Sequence, residues 1–313
     1  MNANKNANRG EFALIDYIRQ RAAGSPCVRV GIGDDCAVID SPAGPLVITT
    51  DMIIEGVHFL RDTPLRQVGW KAAAVGFSDV AAMGLSPEVL VCAAALPARL
   101  SMDDAREILL GLNDACEAYG VALAGGDTDS TPGGLSLCTT VIAHARGLKP
   151  VLRSGARVGD AILVTGSLGG SILGKHLAFR PRVAEAVALN TSFSLHAMID
   201  ISDGLSADLN HILEESKTGA VIDAEKVPVS DAARQLAGQS GKSPLQHALG
   251  DGEDFELLFT MDPGDARRLI ERPIFDTPVA IIGEIVEDGL FLRIDGKLEP
   301  LKPQGYEHLG GGA

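Results

Sequence analysis

The acidic residues of this chain are concentrated in short glycine-rich motifs that interrupt apolar runs: Gly31-Ile-Gly-Asp-Asp35, Thr49-Thr-Asp51, Ser78-Asp79, Gly125-Gly-Asp-Thr-Asp129, Asp200-Ile-Ser-Asp203 and Gly250-Asp-Gly-Glu-Asp254. A fold that gathers these carboxylates at strand ends makes them repel and raise one another's pKa unless cations neutralise them. Hard oxygen donors of this kind suit Mg²⁺, which retains waters and binds carboxylates and phosphates together. The pattern therefore predicts a site for magnesium and phosphate. A single Gly-Asp pair is equally well a turn in which Asp bonds its own backbone. Six motifs argue otherwise, because turns use Gly, Asn and Ser interchangeably and the choice here is overwhelmingly Asp.

Charge narrows the partners. With 41 Asp and Glu against 27 Lys and Arg, the formal charge is −14, which argues against nucleic acid or an anionic membrane as the main partner. An anionic substrate then needs metal ions as intermediaries. At 313 residues and 46% hydrophobic, the chain can bury a large core, and two domains are expected, 1–150 and 151–313. Met1 to Arg9 is polar and Asn-rich, without an apolar stretch that reads as a signal peptide or membrane span, so a cytoplasmic location is expected. Cys27, Cys36, Cys92, Cys116 and Cys138 form no Cys-x-x-Cys pair and sit mostly in apolar surroundings, which fits buried small hydrophobes better than zinc or disulfides.

Periodicity predicts an amphipathic helix over Glu11 to Arg21 and strands at Val28 to Ile32, Leu46 to Thr50 and Val89 to Leu96. Val68 to Met83 reads as an Ala-rich helix ending at Gly84. Ser101 with Asp104 reads as a capping box that opens a helix to Tyr119, stopped by Gly120. Leu135 to His144 reads as a long strand that closes the first domain. Strands then recur at Asp160 to Thr165, Ala197 to Ile201, Ala220 to Ile222, Phe255 to Thr260, Val279 to Ile282 and Leu290 to Ile294, with helices between them. Such alternation implies α/β layers. Gly310-Gly-Gly-Ala reads as a frayed tail.

The motifs exclude two common nucleotide sites. Gly31-Ile-Gly-Asp-Asp35 lacks the third glycine of a dinucleotide fingerprint and puts acids where a pyrophosphate would approach, and the chain has no Gly-x4-Gly-Lys-Ser/Thr loop. Thr49-Thr-Asp51, read as a strand end, offers neutral and charged oxygens to a metal bridged to a nucleotide phosphate. Asp200 and Ser202 alternate about Ile201 and would share one face. His58 alone is more often a satisfied surface or core histidine, and Lys175, Arg153 and Arg157, the positive groups near glycine turns, default to surface charge.

In this order the motifs resemble the thiamine-monophosphate kinases of the aminoimidazole-ribonucleotide synthetase superfamily. The matching stretches are Gly10-Glu-Phe, Gly31-Ile-Gly-Asp-Asp, Thr49-Thr-Asp through His58-Phe, Ser78-Asp-Val-Ala-Ala-Met-Gly, Gly125-Gly-Asp-Thr, Arg153-Ser-Gly-Ala, Asp200-Ile-Ser-Asp-Gly-Leu, Gly252-Glu-Asp-Phe-Glu-Leu and Gly305-Tyr-Glu-His. The Thr-Thr-Asp to His-Phe stretch and the closing Gly-Tyr-x-His discriminate this family from related synthetases. The resemblance implies magnesium ligation by Asp35, Thr50, Asp51, Asp79, Asp127, Asp200 and Asp203. It places Thr49, Gly126, Arg153 and Ser202 at ATP, and His58, Glu253 and Tyr306 at thiamine monophosphate.

The reaction so implied is direct in-line transfer from ATP to thiamine monophosphate, giving thiamine diphosphate and ADP without a covalent nucleophile. The implied fold is two α/β domains with mixed sheets, in a homodimer whose N-terminal sheets form a shared barrel. Three positions depart from the family pattern: Gly76 stands where Asn is usual, Asp129 stands where a second Thr is usual, and the segment from Gly166 to Arg182 is short. Two other readings remain open, an ATP-dependent synthetase of the same superfamily with another acceptor and a magnesium-nucleotide-binding subunit without turnover. Selenophosphate synthesis is disfavoured by the lack of an N-terminal catalytic Cys or Sec loop.

Overall fold

The structure is a computed structural model and describes residues 27–42 and 44–306. The helix expected over Glu11 to Arg21, the Gly10-Glu-Phe match, Glu307, His308 and the terminal glycines lie outside the described residues.

Two mixed sheets carry the chain, joined through a shared core. The first contains β1 (Val28–Val30), β2 (Ala37–Ser41), β3 (Gly44–Ile54), β4 (Val89–Pro97), β5 (Ala122–Thr131) and β6 (Ser136–His144), in the order β1-β2-β3-β6-β4-β5. Only β4 and β5 pair in parallel. Burial alternates strictly along β6, as it must when one face of a strand is covered and the other is open. Val47, Thr49 and Ile53 lie on the covered face of β3, while Thr50 and Met52 lie on the open one.

The cover is α1 (Leu65–Ala82) with α2 (Met102–Tyr119) packed beside it. Thirteen residues of α1 are buried, because this Ala-rich helix lies between the two sheets and is apolar nearly all round. The capping box of α2 is present as the sequence predicts: Ser101 Oγ accepts from the Asp104 N–H at 3.2 Å, and Asp104 Oδ2 accepts from the Ser101 N–H at 2.8 Å. Gly120 ends the helix in the left-handed conformation.

The second sheet runs β13-β12-β9-β11-β7-β10-β8. Its strands are β7 (Ala161–Thr165), β8 (Leu195–Asp200), β9 (Gly219–Asp223), β10 (Leu257–Met261), β11 (Val279–Val286), β12 (Leu290–Ile294) and β13 (Lys297–Pro300). Around it lie α3 (Lys175–Ala178), α4 (Val183–Ser192), α5 (Leu205–Ser216), α6 (Asp231–Ser240), α7 (Pro244–Gly250) and α8 (Pro263–Glu271). Both faces of β7 are buried. Ala161 and Leu163 join the core shared with α1, whereas Ile162 and Val164 join a second core on the far face with α5. Cys36, Cys92 and Cys116 are buried as expected; Cys138 is half-buried and Cys27 is exposed, and all five are free thiols. Among the described residues no helix is long and apolar enough to cross a membrane.

Candidate active site

A cleft of about 510 Å³ opens between the two sheets. Its floor is acidic. Carboxylate oxygens of Asp35, Asp79 and Asp200 lie within 4.8 Å of one another, although the residues come from the β1–β2 loop, from α1 and from the end of β8. Thr49 Oγ1 donates to Asp79 Oδ2 at 2.5 Å, and Ser78 Oγ donates to Asp200 Oδ2 at 2.6 Å. Asp51 completes the floor from β3, and its Oδ2 is buried with no hydrogen-bond partner among the described residues.

Electrostatics follow from this crowding. Burial first, and the neighbouring carboxylates second, push the Asp79 carboxyl well above the usual range. Asp200 rises to about 7 by burial and the charge of Asp35, against a lowering by its bond from Ser78. Asp51 is raised chiefly by burial, and Asp34 beside them rises to about 7, again by burial and then by Asp35. Arg153 partly offsets the charge, with Nε and Nη2 donating to the two Asp35 oxygens at 3.1 and 3.0 Å.

The rim is of another kind. His58, in the turn after β3, accepts the Ile54 N–H at Nδ1 (3.0 Å), so its neutral ring carries its proton on Nε2. Glu253 arrives on the loop between α7 and β10, and Tyr306 on the C-terminal segment, where its N–H donates to the Asp203 carbonyl at 3.2 Å. Gly305 permits that approach, since a Cβ there would stand 2.6 Å from Ala207 Cβ and 2.8 Å from the Asp203 carbonyl oxygen. Ser202 and Asp203 line the same cleft. Asp203 also groups with Asp208 and His211, and the buried Asp208 caps α5 by accepting the Asp203 and Gly204 N–H groups at 3.1 and 3.0 Å.

The structure thus gathers Asp35, Thr49, Asp51, Asp79, Arg153, Asp200, Ser202 and Asp203 around one acidic floor, with His58, Glu253 and Tyr306 at its rim. Thr50, Gly126 and Asp127 are placed elsewhere. The Thr50 hydroxyl lies on the open face of β3 and donates to the Thr139 carbonyl at 3.1 Å. Asp127 is exposed on edge strand β5, separated from β3 by β6 and β4, and its Oδ1 accepts the Thr128 N–H at 2.9 Å. At Gly126 the sheet itself requires glycine: a Cβ would stand 2.0 Å from the Cys92 carbonyl oxygen. Two expected strand ends are also corrected. Asp51 lies inside β3, whose pairing with β6 continues to Ile54, and Asp127 and Asp129 lie inside β5.

Sequence reasoning missed Lys71. It shares a stripe of α1 with Val75 and Asp79 at four-residue spacing, and its Nζ donates to Glu253 Oε1 and to the His58 carbonyl. The signal open to sequence reasoning was a lysine set between Trp70 and the Ala72–Val75 run of an Ala-rich helix. Among the three departures, Gly76 faces Val141 and Asp51, and Asp129 stays exposed, its Oδ1 accepting the Ser130 N–H at 2.7 Å. The short segment borders the cleft through Ser171 and Ile172, and it is tied down where Lys175 and Arg182 meet the buried Glu256 at 2.8 and 2.7 Å.

Comparison with known proteins defines the class. Residues 33–145 match the AIR synthase related protein, N-terminal domain, and residues 157–295 match the C-terminal domain of the same family. Hydrogenase maturation protein HypE of Escherichia coli shares the fold at 20% identity and a TM-score of 0.71, over 93% of this chain and 96% of that one. Within this class the chain belongs to the thiamine-monophosphate kinase family. It is 42% identical to the thiamine-monophosphate kinase of Rhodopirellula baltica over 95% of this chain and 97% of that one. Identity to the Methanospirillum hungatei enzyme is 37%, over 94% and 98%. The solved structure described as AaThiL complexed with AMPPCP and TMP superposes with a TM-score of 0.84 at 32% identity, covering 99% of both chains.

Proposed function

We propose that this protein transfers the γ-phosphoryl group of ATP to thiamine monophosphate, yielding thiamine diphosphate and ADP. The observation that carries the reading is an acidic set, Asp51 and Asp79 lining the cleft with the buried Asp35 and Asp200 clustered behind Asp79, in a cleft whose rim holds His58, Glu253 and Tyr306. The donor set fits magnesium: all-oxygen ligands, three of them mutually within 4.8 Å, and a buried Asp51 oxygen with no protein partner among the described residues. When bound, Mg²⁺ screens the repulsion between donor and acceptor phosphates and neutralises charge that develops in transfer.

The chain's own groups do the rest. A phosphate monoester loses its second proton with pKa about 6, so the acceptor oxygen is already a nucleophile and no general base is required. Arg153, Thr49 and Ser202 stand on the nucleotide side, and Asp203 adds a ligand beside them. At the rim, His58 offers Nε2–H to the acceptor, Glu253 accepts a hydrogen bond, and the Tyr306 ring stacks on the cationic thiazolium.

Residues 1–150 then form the nucleotide, magnesium and dimerisation domain, and 151–313 the second domain. The open face of the first sheet carries Thr50, Met52, Val91 and Asp127. A second copy covers it in our reading, making a homodimer with a barrel shared between the two N-terminal sheets and enclosing Thr50 and Asp127. A coupled assay for ADP with thiamine, thiamine monophosphate or buffer as acceptor tests the activity. Turnover should appear with the monophosphate alone, and equal ADP release in all three would overturn the assignment.

A further inference from the structure

Lys71 heads the fully buried side chains by size, with none of its surface exposed. Its ammonium donates to the His58 carbonyl at 2.8 Å and to Glu253 Oε1. Those partners come from different sheets' loops, and both belong to the acceptor rim. Burying an ion pair rarely stabilises a fold more than apolar side chains of similar volume, so packing does not account for a lysine here. Glu253 is held by its backbone as well: its φ of 62° lies in the left-handed region disfavoured for non-glycine residues, and its N–H donates to the Ser202 carbonyl at 2.6 Å. Arg153 and Asp35 form a separate network on the nucleotide side.

We propose that Lys71 is a positioning residue for the phosphoryl acceptor, clamping Glu253 Oε1 and the His58 carbonyl so that Glu253 Oε2 and the His58 ring meet the substrate at a fixed spacing. The clamp ties α1 to the loop before β10 and thereby sets the width of the acceptor side alone. The inference rests on the assignment of this cleft to thiamine monophosphate.

Steady-state kinetics of the full chain test it, with the wild type, Lys71→Met, Glu253→Gln and the double variant, each also melted thermally. Lys71→Met should raise KM for thiamine monophosphate at least tenfold and leave KM for ATP within twofold, and the double variant should melt no lower than Glu253→Gln. In the Glu253→Gln background the same change should add a smaller factor than it does alone, because the two residues share one clamp, the part held through the His58 carbonyl remaining. If Lys71→Met fails to fold, Lys71→Gln, which keeps a donor for the His58 carbonyl but loses the charge that holds Glu253, should raise KM for thiamine monophosphate with KM for ATP unchanged, and no rise there would overturn the inference. Effects on both KM values together, factors that multiply in the double variant, or an unchanged acceptor KM would overturn the inference while the activity stands. A wild type that makes no ADP with thiamine monophosphate would overturn the cleft assignment, and the inference with it.

Discussion

Asp51 carries a buried carboxylate oxygen, Oδ2, with no hydrogen-bond partner among the described residues. Burial raises its pKa, the charge of Asp35 adds to the rise, and contact with Asp79 opposes it. Asp51→Asn keeps shape and removes charge, so the fold should survive while turnover falls by on the order of 10²-fold, the usual cost of losing one preorganised electrostatic group. A coupled ADP assay across a magnesium titration checks this; near-normal turnover at limiting Mg²⁺ would return Asp51 to a structural role. Tyr306 contributes differently, because its ring is 54% exposed at the rim and its proposed contact is a face on a cation. Tyr306→Phe should leave KM for thiamine monophosphate nearly unchanged. Tyr306→Ala should raise it about two- to thirtyfold, the equivalent of roughly 0.5–2 kcal/mol. Equal large losses in both variants would assign the role to the hydroxyl instead.

At the scale of elements, local rules were legible where local chemistry decides. The capping box and Gly120 delimit α2 as the sequence predicts, and the apolar run of α1 ends within a residue of its expected stop. β5 was not legible: Gly, Asp, Thr and Ser dominate Ala122–Thr131, and only pairing with β4 makes it a strand. β3 was cut short for a related reason, since Asp51 reads as punctuation until β6 supplies its partner. The candidate site divides the same way. Gathering of the acids was readable from repeated motifs, but their faces depend on strand parity: Thr49 points to Asp79 and Thr50 points away. That parity also marks the open face, where Met52 is 53% exposed on a sheet otherwise packed on α1. If the homodimer proposed above forms through this face, Met52→Asp should leave the fold intact and shift sedimentation toward a monomer, because the interface would have to desolvate a charge. An unchanged sedimentation coefficient would remove this face from the interface.

Across the whole molecule, buried carboxyls in and beyond the acidic floor couple stability to pH. Asp200, Asp34 and Asp254 rise from 3.8 to about 7, each by burial first, and Asp51, Asp79 and Asp208 are raised as well. A carboxyl whose folded pKa exceeds its unfolded one binds more protons in the folded state between the two values, so its contribution is fully present below the unfolded pKa and is lost as pH rises through the folded one. Carboxylates held low by partners, such as Glu88 beside Arg146, stabilise as pH rises only through the ordinary carboxylate range, from a lowered value up to 4.5, and add little slope well above it. His211 opposes the trend, since burial lowers it from 6.5 to about 4, which favours folding as pH rises between those values. One histidine stands against six carboxyls, and its effect ends near 6.5. Without divalent cation, the melting temperature should therefore fall as pH rises from 5 to 8. Millimolar Mg²⁺ should flatten the curve at its alkaline end, because a cation that binds only the folded, ionised cluster stabilises in proportion to its occupancy. Calorimetric or fluorescence melts with and without Mg²⁺ check both statements. A metal-free melting temperature that rises with pH, or a magnesium effect as large at pH 5 as at pH 8, would show that the buried carboxyls do not titrate with folding.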